Sequence, residues 1–137
     1  MSGLWKLKII SPVRYTGGKR KLLPQILPEL RGLESISENF TDVFVGGGSV
    51  ALAVAKDFPN TTLHLNDRDP RIAAFWKVVS NDSVHELIKR LDVVPTVELF
   101  NKIKGMKCAT DIDLALKAYF LNRTAYNGIP RATPIGG

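Results

Sequence analysis

The amino-acid sequence predicts an α/β fold, and three observations predict it. A largely apolar run, Phe40 to Val45, has the length and composition of a short buried strand. It leads directly into Gly46-Gly47-Gly48 and then into Ser49-Val50-Ala51-Leu52-Ala53-Val54-Ala55, an alanine-rich helical pattern. A second strand pattern, Thr61 to Leu65, ends in Asn66-Asp67. Strand, glycine turn, helix and strand make a β-α-β unit. Without Cβ atoms the turn can be tight, and a ligand can approach its backbone closely. Asp67 stands 19 residues after Gly48, at the tip of the second strand, where an acid can accept hydrogen bonds from ribose hydroxyls. Glycine triplets also occur in ordinary turns, but the flanking strand, helix and acid together point to a nucleoside or dinucleotide site. Gly46, Gly48 and Ala51 fit the alanine-ended form of the dinucleotide fingerprint, so spacing alone leaves nicotinamide and flavin cofactors open.

The other elements follow in order. Residues 1–16 read as extended, interrupted by Pro12. Tyr15-Thr16-Gly17-Gly18-Lys19 is similar to a phosphate-binding P-loop, but the match fails. That motif's first glycine would fall at Val13, and Arg20 stands where Ser or Thr must hold magnesium. The stretch reads better as a tight turn opening a helix, Lys19 to Leu30, whose free amides and Lys19 favour an anionic group such as a carboxylate. Pro24 and Pro28 fall inside it and make it short, kinked or broken. Residues 31–39 are a polar connection. Beyond the β-α-β unit, Asp69 is the N-cap and Pro70 the first residue of a helix to about Ser80. Its stripe of Ile72, Ala73, Phe75, Trp76, Val78 and Val79 reads as core. Asp82 or Ser83 caps a helix through Leu91. Pro95 opens a segment to about Lys104, and Thr110 or Asp111 caps a long helix through Arg123. The tail, with Gly128, Pro130, Pro134, Gly136 and Gly137, is turn-forming. No later strand is evident. Two or three strands make a narrow sheet with exposed edges, so the chain reads as the front of a larger fold.

Composition narrows the function classes. A chain of 137 residues with 45% hydrophobic content fits about one globular domain and excludes global disorder. The single cysteine, Cys108, allows no internal disulfide and reads as a small core residue. His64 and His85 stand in different elements and read as structural. No apolar run approaches the ~18 residues of a membrane span. Lys6 and Lys8 interrupt the apolar N-terminus, which is therefore no signal peptide, and a cytoplasmic location is expected. The net charge is +6, and residues 1–31 carry all of it, with seven basic residues against Glu29. A basic lobe on a neutral body fits a polyanionic partner, or simply a solvated face.

Four stretches now align with a known family. They are Arg14-Tyr15-Thr16-Gly17-Gly18-Lys19, Val43-Phe44-Val45-Gly46-Gly47-Gly48-Ser49-Val50, Leu65-Asn66-Asp67-Arg68-Asp69-Pro70, and Tyr119-Phe120-Leu121-Asn122-Arg123-Thr124-Ala125-Tyr126-Asn127-Gly128. In this order they closely resemble the Dam-like class of DNA adenine-N6 methyltransferases, over roughly residues 9–137. The resemblance implies a Rossmann-like S-adenosylmethionine-dependent methyltransferase fold, incomplete here, with the helical start of a DNA-recognition region. It implies S-adenosylmethionine as methyl donor and double-stranded DNA as partner, with no membrane association, in a restriction-modification or related DNA methylation setting. The cofactor-binding residues it implies are Tyr15, Thr16, Lys19, Phe44, Gly46, Gly48 and Asp67. Tyr15 stands where the family usually has Trp, Thr16 where it has Ala, and Asp42-Val43-Phe44 where it has Glu-Pro-Phe.

The fourth stretch is similar to the start of the family's recognition region. It implies DNA contacts by Arg123, Tyr126, Asn127 and Arg131. A tyrosine can stack into a base step, an asparagine can pair with a base edge, and an arginine can bind guanine or phosphate. Asn122 and Arg123 could instead cap and brace the helix end. The expected division is a cofactor-binding part over 1–82 and the start of a helical target-recognition region over 83–137. The family transfers methyl groups with Asp-Pro-Pro-Tyr or a close variant, and the sequence contains none; Asp69-Pro70-Arg71 lacks the second proline and the aromatic ring. The expectation is an N-terminal portion of such an enzyme, truncated or split and inactive alone, working only with a complementary chain that supplies the catalytic motif. The alternative is a non-catalytic module that binds S-adenosylmethionine, DNA or both.

Overall fold

The computed structural model of the protein describes residues 11–33 and 38–136. The extended reading of residues 1–10 lies outside them, as does the middle of the polar connection. The described chain forms two compact units that divide between Asn66 and Asp67.

The first unit holds the β-α-β arrangement. Strands β1 (Asn39–Asp42) and β2 (Thr62–Leu65) pair in parallel, with Asn39 opposite Thr62 and Asp42 opposite Leu65. Helix α1 (Leu23–Arg31) precedes them, and α2 (Ser49–Asp57) connects them. Leu23 and Leu27 of α1 pack with Val50, Ala53 and Val54 of α2, and Phe40 and Leu63 of the strands lie against that cluster. The spacing of the two leucines, four residues apart, puts them on one helical face. A bridge from Arg31 to Asp57 at 2.5 Å ties the C-terminal ends of the two helices.

Two expectations in this unit need correction. β1 stops at Asp42, not at Val45. The Asp42 carboxylate accepts the Phe44 amide at 3.3 Å, which turns the chain out of the ladder. The Val45 amide then donates to the Asn66 carbonyl at 2.9 Å beyond the end of β2. The helix expected from Lys19 to Leu30 is two pieces, a 3₁₀ turn over Lys19–Leu22 and then α1. Pro24 falls in the first turn of α1, where its missing N–H is not needed, and Pro28 is held inside the helix.

The second unit is helical. It contains α3 (Pro70–Val79), α4 (Val84–Leu91), α5 (Val97–Gly105) and α6 (Asp111–Thr124), followed by a 3₁₀ turn over Tyr126–Gly128. Helix α6 is the centre, touching α3, α4 and α5. Its weak amphipathicity follows from that position, since Ala115, Leu116, Ala118, Phe120, Leu121 and Asn122 are all buried. Phe75 of α3 stacks on Tyr119 at 5.6 Å, and Phe100 and Ile103 of α5 pack on Phe120 and Leu121. Thr110 caps α6 in a reciprocal box with Asp113. Among the described residues, no helix is long and apolar enough to cross a membrane.

Asp69 caps α3 as the sequence predicts, its Oδ1 accepting the Arg71 amide at 2.9 Å. The Arg71 guanidinium also binds both carboxylate oxygens, and chiefly through these bonds it holds the Asp69 carboxyl below the usual aspartate range. A carboxylate depressed in the folded state stabilises the protein above its unfolded pKa, and that stability is lost as pH falls through the folded value. The stability advantage of the native protein over Asp69→Asn is therefore full near pH 6 and shrinks below about pH 4, the ordinary aspartate range. Urea unfolding of both proteins across that window measures it, and a pH-independent difference would contradict the assignment.

Candidate functional site

In the first unit, the turn after β1 and the segment before α1 close on each other. Tyr15, Gly17, Gly18 and Lys19 face Asp42, Phe44 and the run from Val45 to Val50 across one shallow cleft. Gly46 and Gly48 take positive φ angles, +46° and +74°, a region disfavoured for residues with a Cβ. At Gly46 a second constraint applies, because a Cβ there would stand 3.1 Å from the Tyr15 ring. The aromatic face thus lies directly on the backbone of the turn. Gly48 ends the turn and starts α2, whose first amides lie at the cleft through Ser49 and Val50. Free amides and the helix dipole make that end favourable for a negative or electron-rich group.

Lys19 does not stand open in the cleft. Its Nζ donates to the Phe44 carbonyl at 3.1 Å, so it joins the rim of the segment before α1 to the turn after β1. The Phe44 ring is 68% exposed and Tyr15 49% exposed. Two large apolar rings left in water beside a glycine turn are surfaces that a ligand would cover favourably. Tyr15, Lys19, Phe44, Gly46 and Gly48 therefore come together. Thr16 is exposed on the same segment and is not among the residues lining the cleft. Asp67 opens the second unit. Its Oδ1 accepts the Asp69 amide at 3.0 Å, and the residue before it, Asn66, is fastened within the first unit to Val43 and Val45.

Ser11, which also shapes the turn, has no signal in the sequence. The Ser11 hydroxyl lies within hydrogen-bond reach of the Val13 carbonyl, at 2.6 Å, and of the Gly47 carbonyl, and its single proton can be given to either. A Cβ on Gly47 would meet Ser11 Oγ at 2.6 Å and the Val13 carbonyl oxygen at 3.0 Å. The middle glycine is thus required by packing of the incoming segment, although the two partners are 36 residues apart and leave no local signal.

In the second unit, the four residues assigned to DNA lie on the last turn of α6 and the loop that follows. Arg123, Tyr126, Asn127 and Arg131 are all exposed, and Tyr126 is 61% exposed. Asn127 adopts φ +54°, which Asn tolerates better than most residues. The helix-bracing role falls to Asn122, which is buried and donates to the Gly128 carbonyl at 3.4 Å. Arg123 makes no ion pair among the described residues, and neither does Arg131. No group of three or more His, Cys, Asp or Glu is placed to hold a metal ion among the described residues.

The model of the family described as D12 class N6 adenine-specific DNA methyltransferase matches residues 15–137. No curated protein matches the chain.

Replacing Gly47 with alanine should cost about 1–3 kcal/mol, the usual scale for overpacking a filled site. Gly105→Ala is the control. A Cβ there meets nothing within 4 Å, so that change should be neutral or stabilise α5 by up to about 1 kcal/mol. Thermal unfolding of the two variants separates them, and equal effects would contradict the packing account.

Proposed function

The chain belongs to the D12 class N6 adenine-specific DNA methyltransferase family, and from that membership we propose that its first unit holds S-adenosylmethionine and its second contributes to DNA recognition. The observation that carries the cofactor reading is the Tyr15 ring seated on Gly46, with Lys19 bonded to the Phe44 carbonyl. The residues fit the group. Tyr15 and Phe44 supply apolar faces for the methionine and adenine parts, and the glycines leave room for close approach. Lys19 can turn from the carbonyl to the methionine carboxylate, a stronger partner. Asp67, the first residue after the first unit in sequence, has a carboxylate of the kind that accepts from ribose hydroxyls. When bound, the cofactor supplies the methyl group.

Arg123, Tyr126, Asn127 and Arg131 form the proposed DNA face. Their exposure on the last turn of α6 and the loop after it, with two cationic and one aromatic side chain, is the chemistry of phosphate contact and base-step insertion. Asp-Pro-Pro-Tyr is absent from the sequence, so we assign methyl transfer to this chain only in company with that motif, supplied by further chain or by a second protein. A non-catalytic module that binds cofactor, DNA or both is the second reading, favoured by the same absence.

Calorimetric titration with S-adenosylmethionine tests the cofactor reading. Binding should weaken about tenfold in Lys19→Met, the scale of one charge-assisted hydrogen bond, and further with Asp67→Ala added. A folded chain with no binding, or a variant that binds as tightly as the native protein, would overturn it. Mixing with a polypeptide that carries the complementary motif then separates the two readings. Methylation of duplex DNA by the mixture supports the enzyme portion, and cofactor binding without methylation supports the module.

A further inference from the structure

The loop proposed to meet DNA is held by a cation that its sequence does not announce. Backbone bonds fold the loop on itself: the Tyr126 amide donates to the Thr133 carbonyl, Ala132 to Ile129, and Ile135 to Thr124, at 2.9 Å each. An isolated antiparallel bridge joins Ala125 to Pro134. Lys104, near the end of α5, reaches this loop from 27 residues away. Its Nζ donates to the Arg131 carbonyl at 3.4 Å and to the Ala132 carbonyl at 3.2 Å. The same ammonium lies 5.6 Å from the centroid of the Phe100 ring, and that ring is 1% exposed and part of the helical core. An ammonium has three donors and no acceptor. Here two of them serve successive carbonyls while the ring faces the charge, and among the described residues Lys104 forms no ion pair.

We propose that Lys104 is a positioning residue for DNA binding, joining the recognition loop to the buried face of α5 and so presenting Arg131, and that it does not itself contact phosphate. The inference rests on the DNA reading of the loop given above. Its physical basis is the direction of the ammonium. Both carbonyls belong to the backbone that carries the exposed Arg131 side chain, so fixing them limits where that guanidinium can point. A surface lysine on a basic DNA-binding unit would ordinarily be counted as a phosphate contact, and the geometry assigns this one to the loop.

The test compares the native chain with Lys104→Met, which keeps an unbranched apolar side chain without the charge, and with Lys104→Arg, which keeps the charge and donors. Amide hydrogen exchange by NMR reads the loop without any DNA. Protection at Ala132 and Ile135 should fall about tenfold in Lys104→Met, the scale of one hydrogen bond to a charged group. Amides in the middle of α6 should keep theirs, and Lys104→Arg should recover most of the loss. Binding of a fluorescent mixed-sequence DNA duplex is then titrated against salt. Affinity should fall several-fold in Lys104→Met with the salt slope unchanged, whereas Arg131→Ala should flatten the slope by about one, the change expected for one phosphate contact. Unchanged protection in Lys104→Met, or intact protection with a slope flattened by about one, would overturn the inference. If the native chain does not bind the duplex at all, the DNA reading of the loop fails, and the exchange result still decides whether Lys104 holds it.

Discussion

The first unit depends on how closely its incoming segment can approach the turn after β1. The Tyr15 ring sits where Gly46 would carry a Cβ, and Ser11 with the Val13 carbonyl fills the space where Gly47 would. Every other contact of the cleft follows from that approach. Lys19 can reach the Phe44 carbonyl because Tyr15 has brought its segment against the turn. Asp42 can accept the Phe44 amide because the strand has ended and the chain is free to bend. The result is a turn whose shape is set by the packing of its own segments.

The second unit solves a different problem with the same means. Helix α6 is buried on several sides, and its C-terminal end must deliver an irregular loop to the surface. Buried Asn122 and the α5 cation Lys104 satisfy loop carbonyls that no helix or strand can serve. Polar side chains therefore shape both candidate sites by serving backbone carbonyls. The chain belongs to the D12 class N6 adenine-specific DNA methyltransferase family, and the cofactor and DNA roles proposed above are what that membership suggests for these two arrangements.

Much of this was legible in the sequence where the signal is local. Asp69-Pro70 marked the start of α3, and Thr110 or Asp111 the start of α6, because capping chemistry is local; the structure makes Thr110 the cap, in a box with Asp113. The β-α-β pattern and its glycine turn were legible because period and composition change abruptly there. The end of β1 was misread, since Val43, Phe44 and Val45 look like strand residues and only the Asp42 side chain reveals the bend. Ser11 on Gly47 and Lys104 on the loop were not legible at all. They join residues 36, 27 and 28 positions apart, and neither a serine nor a lysine announces so distant a partner.

The cleft that the Tyr15–Gly46 contact forms is proposed above to hold the cofactor. That proposal is tested most directly by amide and aromatic NMR shifts on adding S-adenosylmethionine to the full chain. Shifts should concentrate at Gly46, Gly48, Ser49, Val50 and the Tyr15 and Phe44 rings, with α4 and α5 unmoved. Saturable binding that leaves the glycine turn unmoved and shifts residues elsewhere would contradict it.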